Sequence, residues 1–196
     1  MTSRWREIAI AGHSGDATLA REALHDPDPV ARELAIGALA RLDLLSDADL
    51  TAALADAAPS VRRRAAMIAG QRPQVSLRAL LDDPDPTVVE AAAWACGEQE
   101  HIDDDVLATL INLGTVSGDA LVREACTAAL GAIGDQRGLP TILHGCTDKP
   151  AVRRRAVLAL APFAGDDVDN ALQAALTDRD WQVRQAAEDV LRAANA

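Results

Sequence analysis

Apolar residues along this chain recur at helical spacing in short runs, and the runs come in pairs joined by polar turns. One set is built on leucine: "TLAREAL", "DLTAALA", "VSLRALL", "VLATLINL", "LPTILHGC" and "NALQAAL". The other opens on a shared phrase: "ARELA" from Ala31, "VRRRA" from Val61, "VVEAA" from Val88, "VREAC" from Val122, "VRRRA" from Val152 and "VRQAA" from Val183. The first residue of each phrase is its lead residue. Successive lead residues are spaced 30, 27, 34, 30 and 31 residues apart. In most copies the lead residue and the positions four, seven and eight after it are small or apolar, which is the buried stripe of an amphipathic helix. A period near thirty residues holding two such helices predicts a repeat array.

The turns support the same register. Asp26, Asp56, Asp83 and Asp178 stand five residues before the lead residue, and Pro29, Pro59, Pro86 and Pro150 stand two before it. Proline suits the first turn of a helix, where its missing N–H is no loss. The second helices are expected to end at Gly70, Gly97, Gly131, Ala40 and Ala161, glycine being a favoured terminator. "SDADL", "DDDVL" and "GDDVDN" supply N-caps and acidic first turns to first helices. "SRWREIAIAG" aligns as a lone second helix, with Arg4 at the arginine position and Gly12 at its end. It would cap the array at one end. Gln185, Glu188, Asp189 and Arg192 give the last helix the polar outer face expected at the other. The boundaries follow as a cap over 1–15 and repeats over 16–43, 44–72, 73–99, 100–135, 136–165 and 166–196, in one domain. In the longest copy "LGTVSGDA" reads as an extended turn able to add a contact or a hinge.

Composition narrows the function. Nineteen basic against thirty acidic side chains leave a net charge of −11, unsuited to neutralising phosphates. No nucleic-acid partner is expected. No apolar run approaches the roughly 20 residues of a membrane span, so no membrane partner is expected either. The N-terminus lacks a signal-peptide core. Cys96, Cys126 and Cys146 are odd in number and lie within apolar stretches, which points to a reducing, cytoplasmic setting. One Phe, three Trp and no Tyr leave the core to Ala, Leu, Val and Ile.

The phrase D-P-x-x-x-V-R-x-x-A-x-x-x-L/A-G, in imperfect copies over nearly all of the chain, resembles the HEAT-repeat family, in particular the short type named after phycobilisome lyases. The resemblance implies an all-α fold: a right-handed α-solenoid of about six helix pairs, with second helices lining a concave face. It also implies that the recurrent arginine (Arg32, Arg62, Arg123, Arg153, Arg184) is structural and pairs with turn aspartates such as Asp56, Asp83 and Asp178. Val89 departs from that pattern.

Positions two, three and six after the lead residue vary between copies, as on a solenoid binding surface. Arg63, Arg64, Met67, Glu90 and Trp94 form a central candidate patch for a protein partner, and Arg154, Arg155 and Leu158 a second. Trp94 is the strongest candidate, as an aromatic anchor, although an aromatic can also fill an Ala-rich groove. The outward arginines of the two "RRR" runs either balance local carboxylates or receive acidic groups of a partner. Trp181, in the proline slot, is expected to pack over the last turn, and Trp5 to pack in the cap.

Chemistry is sparse. His13, His25, His101 and His144 share no spacing. "HIDDD" could hold a hard cation but reads more simply as a helix start. No phosphate loop, paired cysteines or nucleophile–base set is present, and Cys96 and Cys126 sit at buried-stripe positions. Di-iron hydroxylases built on such repeats need His-Glu pairs, and this chain has no His-Glu dipeptide. Repeat-built DNA glycosylases need a basic, aromatic-rich groove. The expectation is a non-catalytic scaffold or adaptor without a cofactor. The alternative is a bilin-lyase-like protein handling a tetrapyrrole on a partner.

Overall fold

The computed structural model describes residues 2–15 and 17–194. Asp16, the first residue of the first expected repeat, lies outside them. All regular structure in the described residues is helical. The helices are α1 (Thr2–Ser14), α2 (Ala17–Ala23), α3 (Pro29–Arg41), α4 (Asp47–Leu54), α5 (Pro59–Ala69) and α6 (Pro86–Gly97). They continue with α7 (Asp104–Val116), α8 (Ala120–Ile133), α9 (Leu139–Gly145), α10 (Pro150–Ala159), α11 (Asp166–Ala175) and α12 (Trp181–Ala194). Two compact units divide the chain, Met1–Ala95 and Cys96–Ala196, with the boundary inside α6.

In the first unit α1 lies on α3 and α3 on α5, while α2 and α4 pack beside α3 and α5. In the second unit α8 lies on α10 and α10 on α12, with α7, α9 and α11 each against its own partner. Second helices thus form one layer in each unit and first helices another. The predicted stripe is the core: Ala35, Ala65, Ala92, Cys126, Ala156 and Ala187, all four after the lead residue, are buried. Trp5 packs on Ile8, Ala23, Ala31 and Ala35, and its indole N–H donates to Asp28 at 2.6 Å.

Three local expectations fail for physical reasons. "VSLRALL" forms a 3-10 turn over Arg78–Asp82 rather than an α-helix. That copy is three residues shorter than its predecessor, and the steeper rise of 3-10 geometry spans the distance with fewer residues. "LGTVSGDA" is no extended turn, because α7 runs on to Val116 and only Ser117–Asp119 connects it to α8. Gly114 is tolerated in mid-helix because it is a contact: a Cβ there would come 2.8 Å from Thr141 Cγ2. Gly131 does not end α8, which continues to Ile133 and stops at Gly134, in the left-handed region at φ 70°.

Gly131 has a packing role shared by its counterparts. Each glycine nine after one lead residue faces the alanine seven after the next. A Cβ built at Gly12 would sit 2.8 Å from Ala38 Cα, at Gly70 3.3 Å from Ala95 Cα, at Gly97 3.2 Å from Ala129 Cα and at Gly131 2.7 Å from Ala159 Cα. Missing side chains let second helices approach backbone to backbone. Gly70 and Gly97 thus end their helices as expected and act as spacers between copies as well, whereas Gly131 acts as a spacer alone.

Candidate functional site: the second-helix face and its arginine ladder

The turns hold a repeated polar device. Arg32 donates through Nε and Nη2 to both oxygens of Asp56, at 2.8 and 2.7 Å. Its Nη1 donates to the Asp26 carbonyl of its own turn at 2.8 Å. Arg62 repeats this on Asp83 at 2.7 and 2.8 Å, Arg123 on Asp148 at 2.6 and 2.8 Å, and Arg153 on Asp178 at 2.9 and 2.8 Å. Arg4 reaches Asp26 at 2.8 Å. Each ladder guanidinium from Arg32 to Arg153 holds its own turn with one nitrogen and the next copy's carboxylate with the other two, the planar fork geometry that lysine lacks. The arginine hydrogen bonds are the main cause holding Asp56, Asp83, Asp148 and Asp178 below the ordinary carboxylate range.

Arg184 makes the same bond to its own turn, Nη1 to the Asp178 carbonyl at 2.7 Å. Among the described residues no carboxylate fills its fork. Val89, in the arginine slot of α6, is buried instead.

Sequence reasoning missed Asp148, which stands four rather than five residues before its lead residue. Its nearness to Pro150 was the available signal. The second turn aspartates act on the backbone instead. Asp28, Asp85, Asp119 and Asp180 accept the backbone N–H two residues on, at 3.0, 2.9, 2.9 and 2.8 Å. The repeated "D-P-D-P" thus encodes an arginine acceptor followed by a helix cap.

Of the variable positions, the one two after the lead residue is exposed or half-buried in every copy, whereas Ala91, Ala186 and Gly37 are buried. Trp94 is 45% and Met67 37% exposed. The other residues at that offset do not form such a patch: Gly37 is buried, Ala128 and Leu158 are half-buried, and Asp189 is polar. Arg63 and Arg154 are exposed, and Glu90 is half-buried. Arg64 lies over Gly37, its Nη2 2.8 Å from where a Cβ would be. Arg155 approaches Glu124 at 3.7 Å. Arg64, Met67, Glu90 and Trp94 belong with Arg63 to the first unit, whereas Arg154, Arg155 and Leu158 belong to the second.

Trp181 does not pack over the final turn. It is 64% exposed, because the first residue of α12 stands at the rim, where other copies place proline. A groove of about 460 Å³ beside α2 and α4 includes His25, Asp26, Arg32, Asp49 and Asp56 in its lining. Its arginine and Asp56 are already consumed by the ladder. Among the described residues no three His, Cys, Asp or Glu side chains converge to hold a metal ion, and no helix is long and apolar enough to cross a membrane. Asp103–Asp105 begin α7, where Asp104 accepts from Arg137 at 2.7 Å. Burial pushes the Cys96 and Cys126 thiols up to about 12.

Stacked helix pairs tied by a polar ladder define an all-α solenoid. A profile described as HEAT repeats matches residues 48–131 and 107–192. The chain belongs to the HEAT-repeat family. No curated protein matches it in sequence. Among solved structures it is similar to the complex of CpcE and CpcF of phycocyanin lyase from Nostoc sp. PCC7120, with TM-score 0.65 and 25% identity over 89% of this chain and 75% of that one. An engineered protein gives TM-score 0.66 and 21% identity over 90% of this chain and 97% of that one. The Escherichia coli protein YibA gives 0.62 and 21% over 77% of this chain, which spans 59% of that one.

Proposed function

We propose that this protein is a non-catalytic, cytoplasmic adaptor that holds a protein partner on its second-helix face, with Trp94 and Met67 as the apolar anchors. One observation carries the reading. Two large apolar side chains stand exposed at the same offset in successive copies, where the remaining copies are small, half-buried or polar. Buried alanines and glycine–alanine contacts fix the helix beneath them. Rigid display lowers the ordering entropy that opposes association, and tryptophan is enriched among residues that dominate binding energy.

The test compares wild type and Trp94→Ala as baits in lysate of the native cells. The expected result is one protein partner retained by wild type and lost by the variant, with helical circular dichroism and melting unchanged. Loss of folding together with capture would place Trp94 in the core and remove the site.

The likeness to phycocyanin lyase favours a second reading, a protein that handles a tetrapyrrole on a partner. Absorption spectra of the same eluates separate the two. Tetrapyrrole bands in the wild-type eluate would replace the adaptor reading with this one.

A further inference from the structure

Glutamate stands two residues after the lead residue in three copies, as Glu33, Glu90 and Glu124. Glu124 has Arg155 of the next copy at 3.7 Å. Among the described residues no cation lies within ion-pair distance of Glu90, and no hydrogen bond ties down the Trp94 indole. Four residues apart on α6, the two side chains are neighbours on one helix face. The result is a half-buried, uncompensated carboxylate one turn from an exposed indole, in a protein whose net charge is −11.

We propose that Glu90 and Trp94 together seat a lysine or arginine side chain of the protein partner. The indole face attracts a cation through its quadrupole. The carboxylate one turn away supplies the opposite charge, and its partial burial lessens the screening that weakens exposed pairs. The protein's acidic surface draws a basic segment toward the site. Met67, at the same offset one copy earlier, supports the aliphatic part of that segment. This inference rests on the adaptor reading and adds the charge of what is bound.

The test is a titration with three fluorescein-labelled peptides of equal length, alternating Lys-Ala, Glu-Ala and Ser-Ala. Wild type, Glu90→Gln, Trp94→Leu and Trp94→Phe are compared by anisotropy at low salt. The expected result is preference for the Lys-Ala peptide. Glu90→Gln and Trp94→Leu should each weaken it about three- to tenfold, while Trp94→Phe, which keeps a ring, retains most of the binding. Lys-Ala binding unchanged in both variants would mean diffuse attraction to the acidic surface and overturn the proposal. Preference for the Glu-Ala peptide, lost in Arg63→Gln, would overturn it while leaving the adaptor surface in place. Absence of binding to all three peptides would overturn it as well, and the lysate capture would then decide the adaptor reading separately.

Discussion

The ladder allows a prediction with an internal control. Arg123→Ala removes a fork held at 2.6 and 2.8 Å on Asp148 and a bond of 2.7 Å to the Ser117 carbonyl. The two side chains are only 12% and 13% exposed. Asp148 would be left with the Lys149 amide as its remaining donor. Breaking a fully buried pair costs about 3–5 kcal/mol and an exposed one about 0–1, so a pair this sheltered should cost about 2–4 kcal/mol. Arg184→Ala removes the same kind of carbonyl bond but no carboxylate partner, and should cost about 1 kcal/mol. Urea unfolding followed by far-UV circular dichroism measures both. Repeat arrays can unfold in stages, so variants are compared at the transition of the affected unit. Acid provides a second check. Arg123 depresses the Asp148 carboxyl below its ordinary 3.8, so the pair's stabilisation is fully present above that value and is lost as pH falls through the depressed one. The gap between wild type and Arg123→Ala should therefore be full at neutral pH and shrink below 3.8. Equal losses in the two variants, or a gap that persists undiminished in acid, would falsify the ladder argument.

Other consequences follow from contacts already described. Gly131→Ala drives a methyl group to 2.5 Å from Ala159 Cβ. Overpacking of about 1–3 kcal/mol should exceed the roughly 1 kcal/mol gained in helix propensity, so its melting temperature should fall. Gly118→Ala, with nothing within 4 Å of the added carbon, should melt at or slightly above wild type. Cys96 and Cys126, buried and pushed up to about 12, should resist iodoacetamide at pH about 8 in native protein and react in urea; rapid native labelling would contradict their burial. Trp181→Ala, at a 64% exposed site, should shift stability by less than about 0.5 kcal/mol, and a large drop in melting temperature would show that the ring is packed.

The period, the helix pairs and the buried stripe were legible in the sequence because one structural solution is written six times. The turn aspartates were legible as a class, but Asp148 was displaced by one residue and fell outside a fixed-offset search. Gly70 and Gly97 were read rightly as helix ends and Gly131 wrongly, because a glycine near a helix end signals termination and close packing alike. The close-packing role shows only in the neighbouring Ala38, Ala95, Ala129 and Ala159. Length was misassigned twice, to a helix where a 3-10 turn stands and to a turn where α7 continues. Spacing fixes how many residues separate successive lead residues and not how they are coiled. Of the candidate surface, the sequence identified which offsets vary. It could not show that Arg64 is laid over Gly37 or that Trp181 faces solvent.

The copy that departs most from the repeat is also the one that carries the candidate chemistry, and the two facts have one physical source. In the other copies the slot after the lead residue carries the ladder arginine, whereas in α6 that slot is apolar. On α6, Val88, Val89, Ala91, Ala92, Ala93 and Ala95 are all buried. Replacing a sheltered ion pair with packed hydrophobic residues is often neutral or stabilising, so α6 loses little by giving up its arginine. With those positions committed to the core, Glu90 and Trp94 are left on the outward face. A lone carboxylate beside an exposed indole contributes little to holding α6 in place. Substitutions there should therefore change binding far more than stability, which is the pattern expected of a surface held ready for a partner.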